Sequence, residues 1–231
     1  ENARKNRSLP QEMLVELLHE GDPFAWQNPS ASRIIRARTT DEIILGALVC
    51  LHGGAAPDAA VRIARRWWLQ EESASQLLRH IIALGALGGA DGKPRRRMAH
   101  ILAMCARTAL DMSPASAACL TDIERWVAGH EVDLARVHER ANSSADAAKS
   151  ASADSVAYAA CAIQAYENEG NYITADCVCD LAAESHGNGC DDHRANLARI
   201  IRREIPTCPL PEAAPEHPHL QLVGADGAEA R

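Results

Sequence analysis

The sequence predicts an all-α protein, an antiparallel helical bundle or HEAT-like helical array of about nine to ten helices. Three observations predict it. The stretch from His130 to Glu169 holds neither glycine nor proline, and its middle, Ala141 to Ala162, is crowded with alanine and serine. Alanine loses no side-chain entropy on entering a helix, so this composition favours helix locally. It also leaves a surface with few protruding side chains, so neighbouring backbones can come close, while flanking helices must supply the larger apolar groups. Apolar residues make up 47% of the chain and aromatics only 3%, a balance that suits helix on helix better than a sandwich or barrel. Elsewhere glycine or proline punctuates the chain at short intervals, which predicts antiparallel neighbours.

The elements follow in order. Ser8 and Gln11 have capping-box spacing around Pro10, and Met13, Leu14, Leu17 and Leu18 form a stripe ended by Gly21. Asp22 to Ser30 reads as a turn-rich connection anchored in the core by Phe24 and Trp26. A short helix is predicted over Ser32 to Arg38, and Thr40 caps a longer one through Leu51. Pro57 opens a helix carrying Val61, Ala64, Trp67 and Trp68; Ser73 caps another over Leu77 to Leu87. Lys93-Pro94 starts a long helix through Leu110, and Ser113-Pro114 caps one bearing Leu120, Ile123 and Trp126, the last read as core. The alanine-rich helix or helices follow, then Tyr172 to Ser185 and Asp191 to Glu204. The segment from Pro206 holds five of the 11 prolines and reads as an extended tail packing loosely or not at all. Leu220 to Val223 is the one faint strand candidate.

Ile44-Leu45-Gly46-Ala47-Leu48 and Ala83-Leu84-Gly85-Ala86-Leu87 echo each other, which hints at a helical repeat. The division expected is a hairpin-repeat part (1–92), an alanine-rich bundle (93–205) and a proline-rich tail (206–231).

A net charge of -7 argues against nucleic acid as the main partner. Several of the eight cysteines (Cys50, Cys105, Cys161) sit in apolar helical runs, which predicts a reduced, cytoplasmic protein rather than a disulfide framework. The longest apolar run, Ile43 to Leu51, is too short to span a bilayer. The first residue, Glu1, leaves a trimmed leader open.

Three constellations bear on chemistry. Cys177, Cys179, His186, Cys190 and His193 offer nitrogen and sulfur ligands, with Cys177, Cys190, His186 and His193 the set a zinc ion would take. Against this, Cys177 and Cys179 point to different sides of a helix and no CxxC pair exists, so core cysteines beside surface histidines is the preferred reading. Arginine groups at 33–38, 62–66, 95–97 and 194–203 could line a concave face and track a phosphate backbone; solvated helix faces explain them as well. Adjacent Trp67 and Trp68 cannot point the same way, so one is expected to be partly exposed as an interface anchor beside Arg65 and Arg66. No nucleophile elbow, phosphate loop or dinucleotide fingerprint occurs.

Leu102-Ala103-Met104-Cys105-Ala106, then Cys119-Leu120-Thr121-Asp122-Ile123-Glu124-Arg125-Trp126-Val127-Ala128-Gly129, then Glu131 and the alanine-rich run, resemble the alanine-rich immunity proteins of bacterial polymorphic toxin systems. The similarity covers about Arg97 to His186; this chain departs in having fewer alanines, extra cysteines and a different first part. The turn Asp22 to Pro29 is also similar to leucine-rich-variant repeats. The resemblance brings no catalytic residues and implies a protein-binding role, toxin neutralisation included. The expectation is therefore a non-enzymatic interaction module of a bacterial cytoplasm without a cofactor. A helical-repeat nucleic-acid binder and a zinc enzyme are the alternatives.

Overall fold

The computed structural model describes residues 9–37, 40–85, 94–169 and 175–211. Ser8, Arg38, the Gly88-Gly89 break, Tyr172 and the Leu220 to Val223 strand candidate lie outside them. The chain is an all-α helical array. Its described helices, twelve in number, are α1 (Gln11–His19), α2 (Pro23–Trp26), α3 (Ala31–Ala37), α4 (Asp41–His52), α5 (Asp58–Gln70), α6 (Ala74–Ala83), α7 (Pro94–Arg107), α8 (Pro114–Val127), α9 (Leu134–Ala148), α10 (Ala151–Glu169), α11 (Cys177–Glu184) and α12 (Cys190–Glu204). None is long and apolar enough to cross a membrane.

Two helices exceed the sequence expectation, each for a local reason. The connection after Gly21 winds into α2 because the Asp22 carboxylate accepts from Phe24 N (2.7 Å) and Ala25 N (3.0 Å), with Pro23 at the first helical position. Trp26 is buried and donates its indole N–H to the Leu18 carbonyl (3.2 Å), whereas Phe24 stays exposed and is no core anchor. The alanine-rich stretch breaks between α9 and α10 without glycine or proline. Lys149 adopts a left-handed conformation (φ 48°) that ends α9, and the Ser150 hydroxyl accepts from Ala153 N at the start of α10.

Helix α10 lies at the centre, against α7, α8, α9 and α11. Ala153, Val156, Ala159, Ala160, Ala162 and Ile163 are all buried. Small side chains permit close approach there: buried Ser155 donates its hydroxyl to the Val178 carbonyl in α11 (2.9 Å). The apolar coat comes from Met98, Ile101 and Leu102 of α7, Leu120 and Ile123 of α8, and Leu197 and Ile201 of α12. That core continues through Leu48, Trp67, Trp68, Leu77 and Ile81, so it crosses the 92/93 boundary. A second cluster joins Leu14, Leu18, Trp26, Ile34, Ile43 and Ile63.

Helix α6 is the clamp between the halves. Ser75 bonds Asp180 (3.0 Å), Arg79 bonds Asp176 (2.6 Å), and His80 bonds the carbonyl of Pro209 (3.0 Å). The last contact corrects the expectation of loose packing for residues 206–211 of the tail: Pro209 is buried, and Cys208 and Leu210 pack on the core. Residues 212–231 lie outside the described chain.

The two echoing sequences are not structural equivalents. Gly46 sits inside α4, where a Cβ would meet the Leu18 carbonyl oxygen at 2.0 Å, whereas Gly85 follows α6 with φ +60° and open space around it. One glycine permits a helix crossing; the other ends a helix.

Candidate functional site

Trp67 and Trp68 come late in α5, and both rings are buried. Trp67 is 8% and Trp68 0% exposed, which corrects the expectation of a projecting tryptophan anchor. The burial has a cause: the two rings pack edge-on (centroids 6.4 Å apart), and His80 closes the cage at 5.3 Å and 6.1 Å. Trp67 Nε1–H donates to Glu71 Oε2 (2.7 Å), and Ser73 N donates to Glu71 Oε1 (2.7 Å), so the ring is fixed. Arg65 and Arg66 are exposed.

Behind the tryptophans lies a histidine pair. The Pro209 carbonyl can only accept, so His80 Nε2 carries the hydrogen and His80 Nδ1 accepts from His52 Nε2–H (2.9 Å). Burial pushes the His80 imidazole down to about 4 and also lowers that of His52. Both rings are neutral at pH 7 and serve as internal hydrogen-bonding groups.

Trp67 also contributes to the floor of a surface groove. Ile44, Leu45 and Leu48 of α4 complete the apolar floor of a cavity of about 700 Å³. Asp41 and Glu42, which open α4, and Glu71 and Glu72, which follow α5, form its mouth. Acidic residues at the start of α4 suit the helix dipole, and a hydrogen bond from Thr40 holds the Glu42 carboxyl below the usual range. Leu45 stands 60% exposed and Val49, one turn on, 44%, giving α4 an apolar outer face. Ile44, Trp67 and Gln70 also wall a neighbouring depression of about 490 Å³ that carries Arg62 and Arg66. Sequence reading found Trp67 and Arg66 but missed Leu45, because a leucine in an apolar run reads as core. Only its helical offset from buried Ile43 and Ala47 marks it as outward-facing.

The proposed zinc set is not brought together. Cys177 opens α11 and His186 follows its end, so a helix roughly 12 Å long separates them. His186 and His193 do meet, stacked at 3.6 Å, but over Thr108: its carbonyl accepts from His186 Nε2 (2.9 Å) and its hydroxyl from His193 Nε2 (2.8 Å). Cys179 is buried and Cys190 packs on the core. Among the described residues, no three His, Cys, Asp or Glu side chains are placed to hold a metal ion.

Several arginines of the later groups bond within the molecule, whereas Arg62, Arg65 and Arg66 stay exposed. Arg95 donates to the Ile163 carbonyl (3.0 Å) and, with Arg96, lies against the Trp126 ring (4.9 Å and 5.3 Å). Trp126 is accordingly half-buried under two cations rather than enclosed in core. Arg97 bonds the Glu204 carbonyl and Arg194 pairs with Asp191. Arg202 donates to the carbonyls of Trp68 and Glu71, capping the C-terminus of α5.

A wider depression of about 820 Å³ between α8 and α9 is walled by small residues such as Ala115, Ala118, Ala147 and Ala148. Several of its polar side chains are engaged locally: Ser113 and Ser144 bond each other and Ser116, and Arg140 pairs with Asp122. The groove over Trp67 combines exposed apolar area with carboxylates that make no ion pair among the described residues, and is the stronger candidate. No family model, no curated protein and no solved structure matches the chain.

Proposed function

We propose that this chain is a non-enzymatic helical protein-interaction module of a bacterial cytoplasm, of the toxin-neutralising kind that its resemblance to immunity proteins implies. The observation that carries the proposal is the groove over Trp67. It has a rigid indole floor, an outward-facing leucine at 60% exposure and a ring of charge at its edge. Buried apolar cores with polar rims are the anatomy of protein interfaces, and a ring immobilised before binding lowers the ordering cost of association. The nucleic-acid alternative is weakened because Arg95, Arg97 and Arg202 serve main-chain carbonyls of this chain. The zinc-enzyme alternative is weakened by the Thr108 hydrogen bonds that hold His186 and His193.

A photo-crosslinking side chain placed at position 45, in cells that naturally make the protein, tests this reading. The expected result is a discrete adduct with one protein, absent when the crosslinker replaces Glu131, an exposed residue that does not line the groove. The same adducts from both positions, or none from position 45, would sink it.

A further inference from the structure

We infer that the occupant of the Trp67 groove is an amphipathic protein helix whose apolar stripe is flanked by lysine or arginine. The inference rests on the interaction reading above and adds the partner's chemistry. Ile44, Leu45 and Leu48 of α4 line the cavity together with Trp67 of α5. Apolar side chains from two helices thus share one surface cavity, the kind of site in which a helix seats side chains spaced three and four apart.

The charge at the mouth decides the flanks. Asp41, Glu42 and Glu72 make no ion pair among the described residues, and the Glu71 carboxylate is held by two neutral donors, Trp67 Nε1 and Ser73 N. Arg202 feels Glu71 and Glu72 but gives its hydrogen bonds to main-chain carbonyls. Arg62 and Arg66 lie across the Ile44–Trp67–Gln70 wall, in the neighbouring depression. The mouth therefore keeps four carboxylates around an apolar floor. Seating an uncharged or acidic helix there leaves those carboxylates partly desolvated and repelling one another. A basic flank compensates them and speeds encounter.

The test uses the full chain and two labelled amphipathic peptides of about 15 residues, identical in their leucine stripe and flanked by lysine in one and glutamate in the other. Binding is read by fluorescence anisotropy at about 0.1 M salt. The lysine-flanked peptide is expected to bind saturably at one site and the glutamate-flanked peptide not to bind. Asp41→Lys with Glu42→Lys should weaken the lysine-flanked complex about tenfold or more, and Leu45→Asp should remove it. Glu131→Lys with Asp146→Lys changes net charge equally at exposed positions outside the groove and should leave the affinity within about twofold.

Equal weakening by the two double variants would show attraction to net charge alone and overturn the inference, as would equal binding of the two peptides or binding of neither. A dimer that Leu45→Asp dissolves would make a second copy the occupant and overturn it as well. A discrete adduct from position 45 alongside any of these failures confines the error to the partner's chemistry. Loss of that adduct removes the interaction reading itself.

Discussion

Acidification should destabilise this fold through His80. The ring is 1% exposed, donates to the Pro209 carbonyl and accepts from His52. A second proton would sit on Nδ1, facing the N–H of His52, with Trp67 and Trp68 around it and no carboxylate among its hydrogen-bond partners. The folded value is therefore depressed from 6.5 to about 4. An unfolded chain takes up the proton at the ordinary value, so the unfolded state binds more protons between those limits. The contribution is complete above pH 6.5 and declines as pH falls towards 4. One unit is worth about 1.4 kcal/mol, so lowering the pH from 7.5 to 4.5 should remove about 2.5 kcal/mol through this one group. Urea unfolding followed by far-ultraviolet circular dichroism at several pH values measures it, with His80→Asn as the reference that no longer titrates. The parent should lose about 2 kcal/mol more than the variant over that range. Equal losses would refute the reasoning, since His80 would then titrate alike in both states.

Other perturbations have signs set by the packing. Gly46→Ala should gain up to about 1 kcal/mol of helix propensity but force a Cβ against the Leu18 carbonyl at 2.0 Å. Overpacking against backbone costs about 1–3 kcal/mol and wins, so the melting temperature should fall by several degrees. Arg202→Ala strips the α5 C-terminus of charged donors and should cost about 2 kcal/mol in urea titrations, whereas Arg66→Ala should stay within about 0.5 kcal/mol. Leu45→Asp should leave the unfolding midpoint nearly unchanged, because the side chain is already 60% exposed. All eight cysteines are free thiols. A colorimetric thiol reagent should therefore count eight in denaturant without reductant, and far fewer quickly in the native state, where Cys50, Cys105, Cys119 and Cys179 are buried.

Helix existence was legible because caps and breakers are local. Thr40, Ser73 and Ser113 each accept from the amide three residues on, as their spacing predicts. The break at Lys149 was not legible, because a left-handed lysine carries no compositional mark and Ser150 is one serine among many. The docking of residues 206–211 was equally hidden: it depends on a backbone carbonyl of Pro209 meeting a histidine 129 positions earlier. In the candidate site, Trp67 and Arg66 were legible in the sequence, but one of the paired tryptophans was expected to be partly exposed and both are buried. The inward turn of both rings depends on His80, which lies on a different helix. The zinc set failed for the converse reason, since residues close along the chain are held apart by the length of α11.

Hydrogen exchange of the isolated chain, compared with the chain bound to the protein captured from position 45, addresses the central claim most directly. Protection should increase over Asp41–Leu48 and Trp67–Gln76, the segments that form the groove. Protection gained instead along α8 and α9, with the groove amides unchanged, would contradict it and move the interface to the small-residue depression.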